Sequence, residues 1–86
     1  PALVVSNFSQ GEDMVVVFIS SKKEKRPSSF DIAIHPTKEN GLKGPSIIRC
    51  GKIATLEKKM ALGELGFLEK ENLEKVVKTI NKILGT

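Results

Sequence analysis

The stretch Met14-Val-Val-Val-Phe-Ile-Ser-Ser21 decides how the rest of this sequence can fold. An unbroken apolar run of this length predicts a strand that lies at the centre of a small sheet or is buried on both faces. The strand ends in two hydroxyl side chains, Ser20 and Ser21, and the basic run Lys22-Lys-Glu-Lys-Arg26 follows at once. By default such a run is a solvated loop. Its position directly after hydroxyls on a rigid strand indicates a place to hold phosphate.

The composition predicts one globular domain over residues 1–86, with a thin core. Apolar residues make up 40% of the chain and charged residues 28%, which argues against disorder. No apolar run reaches the roughly 20 residues of a membrane helix, and the N-terminus lacks the basic start of a secretory signal. We therefore expect a cytoplasmic protein with no membrane partner. The net charge of +4 weakly favours binding to nucleic acid or another polyanion.

The remaining sequence predicts short strands followed by one C-terminal helix. Strands are expected at 2–6, 30–34 and 46–50, and the last one is either broken at Gly51 or bulged there and continued to 56. Residues 37–45 are typical of turns. A helix that begins between 68 and 72 and stops at Gly85 would carry one apolar stripe. The residues of that stripe are Leu73, Val76, Val77, Ile80, Ile83 and Leu84. The helix would pack on a small sheet or barrel.

Three single residues are candidates for chemistry, each with a plainer alternative. His35 is the sole histidine, but it precedes a proline and no carboxylate is placed to orient it, so we interpret it as a turn residue. Cys50 is the sole cysteine and is interpreted as a buried inert thiol rather than a nucleophile. Arg49 shares a strand face with Ile47 and needs a carboxylate or phosphate partner, so ion pair and anion site both remain open. No spacing predicts zinc or a nucleotide-binding loop.

Four landmarks in order along the chain resemble the MazF/PemK toxin family, which is CcdB-like. In that family a proline that follows arginine opens a strand ending in valine-serine, and an apolar strand ends in threonine-serine. A glycine-leucine then precedes a serine-valine-valine-arginine strand, and glycine-x-leucine precedes the final helix. The matching segments here are Pro1-Ala-Leu-Val-Val-Ser-Asn7, Val17-Phe-Ile-Ser-Ser21, Gly41-Leu-Lys-Gly-Pro-Ser-Ile-Ile-Arg-Cys50 and Gly66-Phe-Leu68.

The resemblance implies a mainly β fold with a C-terminal helix, an SH3-like barrel of the PemK/MazF type. It also implies a homodimeric, growth-inhibiting toxin of a type II toxin–antitoxin system, which would be neutralised by an antitoxin protein. Its activity would be sequence-selective cleavage of single-stranded RNA, an endoribonuclease reaction without metal or cofactor. Ser20 stands at the family's catalytic threonine and Arg49 at an arginine that lies at the active site in some members. The implied RNA-binding residues are Ser6, Asn7, Ser21, Lys22, Lys23, Lys25 and Arg26.

Two departures from the family pattern modify these expectations. Family members open with a further strand and a loop that carries an arginine-proline pair, whereas this sequence opens at the position of that proline. We therefore expect the barrel to be incomplete at its first strand and to lack that arginine here, with an exposed edge that promotes a dimer. Gly51 also stands where some members place a catalytic aspartate. The alternatives are a remnant that binds RNA, DNA or antitoxin without cleavage, and a plain interaction domain.

Overall fold

The computed structural model describes residues 1–6, 11–21 and 28–85. Within these ranges, four strands form one antiparallel sheet in the order β1-β2-β4-β3. The strands are β1 (Ala2–Val4), β2 (Asp13–Ser21), β3 (Asp31–Ile34) and β4 (Ser46–Glu57). A single turn of 3-10 helix at Lys58–Met60 and the C-terminal helix α1 (Lys70–Leu84) follow.

The apolar run forms β2, which lies between β1 and β4 as an inner strand of the sheet. Successive side chains of a strand point to opposite faces, and both Val16 and Val17 are fully buried. The prediction of a central strand is therefore confirmed. Burial on the second face is incomplete, however, because Phe18 is partly exposed.

The sheet bends where β4 passes Gly51. Val17 of β2 pairs with Ile53, whereas the next residue, Phe18, pairs with Arg49. The residues between these two partners on β4 form a bulge, as the sequence predicts around Gly51. Because bulges bend a strand and increase its twist, the sheet curls into a half-barrel. The expected fold class, a mainly β barrel-like sheet with a C-terminal helix, is confirmed.

The core lies between α1 and one face of the sheet. Val76 is fully buried against Val17, Ile48 and Cys50, and Ile80 packs at the margin of this cluster. Only part of the predicted apolar stripe of α1 is buried. Three of its side chains remain exposed, by 38% at Leu73, 49% at Val77 and 64% at Leu84. The helix packs mainly on β3 and β4, and these strands cover one side of it.

The element boundaries follow local hydrogen bonding. α1 ends at Gly85, which has φ +78° and donates its N–H to the carbonyls of Asn81 and Lys82, as the predicted stop requires. β1 ends at Val4, two residues earlier than predicted. The reason is that the Val15 N–H donates to the side-chain Oγ of Ser6 at 2.9 Å. A hydrogen bond to a side chain does not extend the ladder of backbone hydrogen bonds that defines the strand.

Candidate functional site

A cleft of about 370 Å³ opens beside the C-terminal end of β2. One wall comes from the end of that strand and the opposite wall from the turn that leads into β4. The lining residues are Pro1, Ile19, Ser20, Ser21, Gly41, Leu42, Lys43, Gly44, Pro45, Ser46 and Leu65. The hydroxyl-bearing end of the apolar strand therefore faces a concave surface, as a binding site requires.

Ser20 contributes a buried hydroxyl to this cleft. Its Oγ atom is shielded from solvent and has no hydrogen-bond partner among the described residues. Leaving a buried hydroxyl without a partner costs about 1–3 kcal/mol, so such groups in folded proteins call for an explanation. A ligand atom that displaces the groups covering this Oγ would supply the missing partner.

Arg49 lies diagonally across from Ser20 on the same face of the sheet. Ser20 pairs with Ile47, and Phe18, two residues earlier on β2, pairs with Arg49. Since side chains alternate along each strand, these residues share one face, and diagonal neighbours are about 7–8 Å apart between Cα atoms. Ser20 and Arg49 thus lie on adjacent strands, and the predicted shared face of Arg49 and Ile47 is confirmed.

The guanidinium of Arg49 forms an ion pair with Asp31. Its Nε atom lies 3.3 Å from Oδ1 of that carboxylate, and the two side chains are 17% and 5% exposed. Of the two interpretations that the sequence leaves open for Arg49, the structural ion pair is present. Asp31 is the partner of Arg49 that sequence reasoning missed. Its alternation with Ile32 and Ile34 marks it as a carboxylate on the other strand face, but its partner depends on the register of β3 with β4.

The cleft also contains a cation that the sequence did not single out. Lys43 lines it from the turn before β4 and is exposed. It is one of many lysines, and nothing in its spacing distinguishes it. Ser21 is the direct partner of Ser46 in the β2–β4 register, and the Ser46 hydroxyl donates to the Gly44 carbonyl oxygen at 3.0 Å.

The structure does not bring Ser6 to this cleft. Its Oγ accepts a hydrogen bond from the Val15 N–H, at the end of β1 that lies away from the cleft. The other end of β1 lies at the cleft, where the Ile19 N–H donates to the Pro1 carbonyl oxygen. Ser20 follows Val15 by five positions, which is roughly 17 Å along a strand. The remaining predicted RNA-binding residues lie outside the described ranges; they are Asn7, Lys22, Lys23, Lys25 and Arg26.

The other candidate side chains take the plainer roles. Cys50 is fully buried, and desolvation together with the nearby Asp31 carboxylate raises the pKa of its thiol, so the thiol stays protonated. His35 is exposed, and its backbone carbonyl accepts a hydrogen bond from the Asn40 side chain. The predicted burial of Cys50 is confirmed, and His35 lies on the surface after the end of β3.

Three further findings concern other features that could carry a function. A larger open depression of about 800 Å³ runs along the outer side of α1, but its lining contains neither a hydroxyl nor an arginine. Within the described ranges, no group of three or more His, Cys, Asp and Glu side chains is arranged to hold a metal ion. The same part of the chain contains no helix long and apolar enough to cross a membrane.

Residues 1–84 match the family described as "PemK-like, MazF-like toxin of type II toxin-antitoxin system". The chain belongs to this family. The resemblance carried by the four sequence landmarks is thereby confirmed. No curated protein sequence matches the chain.

Solved structures of MazF toxins share the fold of this PemK/MazF-like chain. The Mycobacterium tuberculosis toxin MazF-mt6 superposes with a TM-score of 0.82 at 17% identity, covering 99% of this chain and 85% of that one. An endoribonuclease in complex with its cognate antitoxin, from a mycobacterial species, has a TM-score of 0.80 at 25% identity, with coverages of 99% and 80%. An endoribonuclease from a mycobacterial species gives 0.79 at 25% identity, with coverages of 99% and 79%.

Proposed function

We propose that this PemK/MazF-like toxin is an endoribonuclease that cleaves single-stranded RNA in a sequence-selective manner and thereby inhibits growth. The observation that carries the proposal is the Ser20 hydroxyl, buried in the wall of the cleft with no hydrogen-bond partner in the described part of the chain. Arg49 on the same sheet face supports it, as do the two structural relatives that are endoribonucleases.

The reaction we propose takes its nucleophile from the substrate. The 2′-oxygen of the RNA loses its proton to solvent water and bonds to phosphorus, the bond from phosphorus to the 5′-oxygen breaks, and that oxygen gains a proton from solvent water. The products are a 2′,3′-cyclic phosphate and a 5′-hydroxyl. Negative charge develops on the phosphoryl oxygens, and Ser20 would donate a hydrogen bond to one of them while Arg49 supplies positive charge. We propose that this proceeds without metal or cofactor.

Substrate binding would use the rest of the cleft and the basic segment after it. Ser21 ends β2 at the cleft, and Lys43 gives a cation on the opposite wall for a neighbouring phosphate. Lys22, Lys23, Lys25 and Arg26 follow Ser21 in the sequence and would contact the RNA backbone. Ser6 is left out of this set because its hydroxyl already accepts a backbone hydrogen bond.

We propose a homodimer that binds an antitoxin through apolar surface. After β4 the side chains of Met60, Leu62, Leu65 and Phe67 are all more than half exposed. Exposed apolar groups that are contiguous along a chain are typical of protein–protein interfaces. A structural relative with its cognate antitoxin supports this choice of partner. Light scattering on the purified protein tests the dimer, and a monodisperse monomer would contradict it.

The enzymatic proposal is tested by incubating the purified protein with a long single-stranded RNA in the presence of a metal chelator. We expect a discrete set of fragments whose ends are a 2′,3′-cyclic phosphate and a 5′-hydroxyl. Expression in cells should arrest growth, and co-expression of an antitoxin should restore it. Intact RNA together with normal growth would refute the endoribonuclease function.

A second candidate is a toxin-like protein that binds RNA, DNA or an antitoxin without cleaving. The ion pair between Arg49 and Asp31 favours it, because the guanidinium already has an anionic partner. This candidate predicts RNA binding that weakens steeply with salt and leaves the RNA intact. The fragment analysis above separates the two functions, since binding without fragments supports only the second.

A further inference from the structure

We infer that Asp31 is a positioning residue that holds the Arg49 guanidinium in place for the proposed reaction. The inference rests on the proposed function of the cleft. It adds a residue that neither the sequence landmarks nor the cleft lining includes, and it follows from the contacts on both sides of this carboxylate.

On one side, Asp31 engages Arg49 from the neighbouring strand. The two residues are Cα partners in the β3–β4 register, so their side chains leave the sheet on the same face. Oδ1 lies 3.3 Å from the guanidinium Nε. That face also carries Ser20 and is not the one that packs against α1 in the core. The pair therefore lies on the side of the sheet where the proposed reaction occurs.

On the other side, the same carboxylate is held by the turn that precedes β3. Oδ2 accepts a hydrogen bond from the Ser28 N–H at 2.8 Å, and Oδ1 accepts one from the Ser28 hydroxyl at 3.3 Å. The Asp31 N–H in turn donates to the Ser28 carbonyl oxygen at 3.1 Å. Both oxygens and the backbone of Asp31 are thus fixed, and a fixed carboxylate holds its arginine in one orientation.

Fixing the guanidinium matters because an arginine side chain has many rotamers. Ordering it costs conformational entropy. Because the ion pair with Asp31 already orders the guanidinium in the folded protein, the guanidinium does not lose this entropy again when the transition state of the reaction forms. Placement is also demanding, since a displacement of about 1 Å can lower a rate about 100-fold.

The same geometry separates a positioning role from a binding role. A carboxylate beside Arg49 lowers the attraction of that region for the phosphates of RNA. Replacing Asp31 with asparagine removes the negative charge and keeps an oxygen that can accept from Ser28. If Asp31 positions Arg49, this variant should bind RNA at least as tightly as the wild type and cleave it more slowly.

The first test reads the order of the arginine side chain directly. The sequence contains two arginines, Arg26 and Arg49, so a 15N-labelled sample gives two side-chain Nε–H signals, which the Arg49→Lys variant assigns. We expect slow solvent exchange of the Arg49 signal in the wild type and exchange at least about tenfold faster in Asp31→Asn, because a held guanidinium exchanges through opening. Asp13→Asn, an exposed aspartate at the start of β2, is the matched control and should leave the signal unchanged.

The second test separates kcat from KM. We expect Asp31→Asn to lower kcat for RNA cleavage about tenfold or more without raising KM, and Asp31→Glu, which keeps the charge, to recover part of kcat. Unchanged Arg49 exchange in Asp31→Asn, or a kcat equal to that of Asp13→Asn, would overturn the inference. If the wild type does not cleave RNA, the proposed function fails, and the exchange measurement still decides whether Asp31 orders Arg49. If Asp31→Asn does not fold, Asp31→Ser, which also removes the negative charge, takes its place, and unchanged Arg49 exchange and kcat in a folded Asp31→Ser would equally overturn the inference.

Discussion

Gly41 lies directly against the backbone of Leu65, so that a Cβ atom at Gly41 would overlap the Leu65 carbonyl oxygen. Both residues line the cleft, and Gly41 has φ +66°, a conformation that side chains rarely adopt. One residue further along the segment, Gly66 approaches the Glu39 carbonyl in the same way, and the Phe67 N–H donates to that carbonyl at 2.9 Å. The far wall of the cleft is thus built by close contact between two backbone segments.

Substitution of Gly41 should therefore disrupt both the fold and the cleft. We expect Gly41→Ala to lower the free energy of unfolding by at least about 2 kcal/mol, from the positive φ and the overlap with Leu65 together. Gly44→Ala is the control, because no described atom lies within 4 Å of a Cβ there, and it should change stability by less than about 0.5 kcal/mol. Urea unfolding measures both values, and equal stabilities would contradict the close approach.

Removal of the Ser20 hydroxyl should lower RNA cleavage without lowering the stability of the fold. Ser20→Ala deletes a buried polar atom that has no partner in the described ranges, so stability should stay unchanged or rise by up to about 1 kcal/mol. RNA cleavage should fall about 100-fold, since a donor to the developing charge is lost.

Ser6→Ala should have the opposite effect, lowering stability without changing RNA cleavage. The Ser6 hydroxyl accepts the Val15 N–H and lies far from the cleft, so its loss should cost about 1 kcal/mol of stability and leave kcat unchanged. Thermal melts and cleavage rates of the two variants give the comparison. A Ser20→Ala protein that cleaves RNA at the wild-type rate would exclude Ser20 from the reaction.

Acid should weaken the contact between the turn after β3 and the start of α1. The Thr37 hydroxyl donates to Glu69 Oε2 at 2.6 Å, and this hydrogen bond holds the pKa of Glu69 below its ordinary value of 4.5. A carboxyl whose pKa is lower in the folded state stabilises the protein fully above its unfolded pKa. That stabilisation is lost as the pH falls through the folded pKa.

Glu69→Gln tests this pH dependence, because the amide retains an acceptor oxygen but does not titrate. Below about pH 4.5, we expect the free energy of unfolding to fall more steeply in the wild type than in this variant. Glu64→Gln, at an exposed glutamate before the helix, should retain the wild-type slope. Identical slopes for Glu69→Gln and the wild type between pH 6 and 3 would contradict the role of the Thr37 contact.

Two adjacent valines of α1 should differ sharply in their contributions to stability. Val76 is fully buried in the core and Val77 is 49% exposed, although the sequence places both in one apolar stripe. Val76→Ala should cost roughly 2 kcal/mol through lost burial and the cavity it leaves, whereas Val77→Ala should cost less than about 0.5 kcal/mol. Chemical denaturation decides, and a larger loss at Val77 would mean that the helix presents its other side to the sheet.

Cys50 should report global unfolding. It is the only thiol in the sequence, it is fully buried, and its raised pKa keeps it protonated at neutral pH. We expect a thiol reagent to label the native protein at least about 100-fold more slowly than the urea-unfolded protein, since only the exposed thiolate reacts. Rapid labelling of the native protein would show that the core opens at Cys50 without global unfolding.

Local patterns determined most of the elements. The apolar run at 14–21 became the inner strand β2, Gly51 marked the bend of β4, and Gly85 ended α1. Each of these signals acts over a few residues, through alternation, backbone conformation or a missing side chain, so it can be read without knowing the rest of the fold. The family was indicated separately, by the resemblance of four landmark segments in the order in which they follow along the chain.

The composition of the candidate site required the tertiary structure. The sequence predicted Ser20 and Arg49 as site residues from their positions in the strands. Asp31, Lys43 and Leu65 come to this region from other parts of the chain, which only the structure shows. Ser6 illustrates the opposite case, because antiparallel pairing takes it to the far end of β2. Which residues meet across strands depends on register, and a change in register would move a side chain to the other face.

The sequence by itself therefore determined a central apolar strand that ends in hydroxyls, a bulged partner strand and a C-terminal helix. The tertiary structure decided that Ser20 faces a cleft, that Arg49 is paired with Asp31, and that half of the helix stripe stays exposed. The physical reason is the range of the forces involved. Strand alternation and helix ends are set by neighbouring residues, whereas a buried hydroxyl or an ion pair exists only after distant segments have packed together.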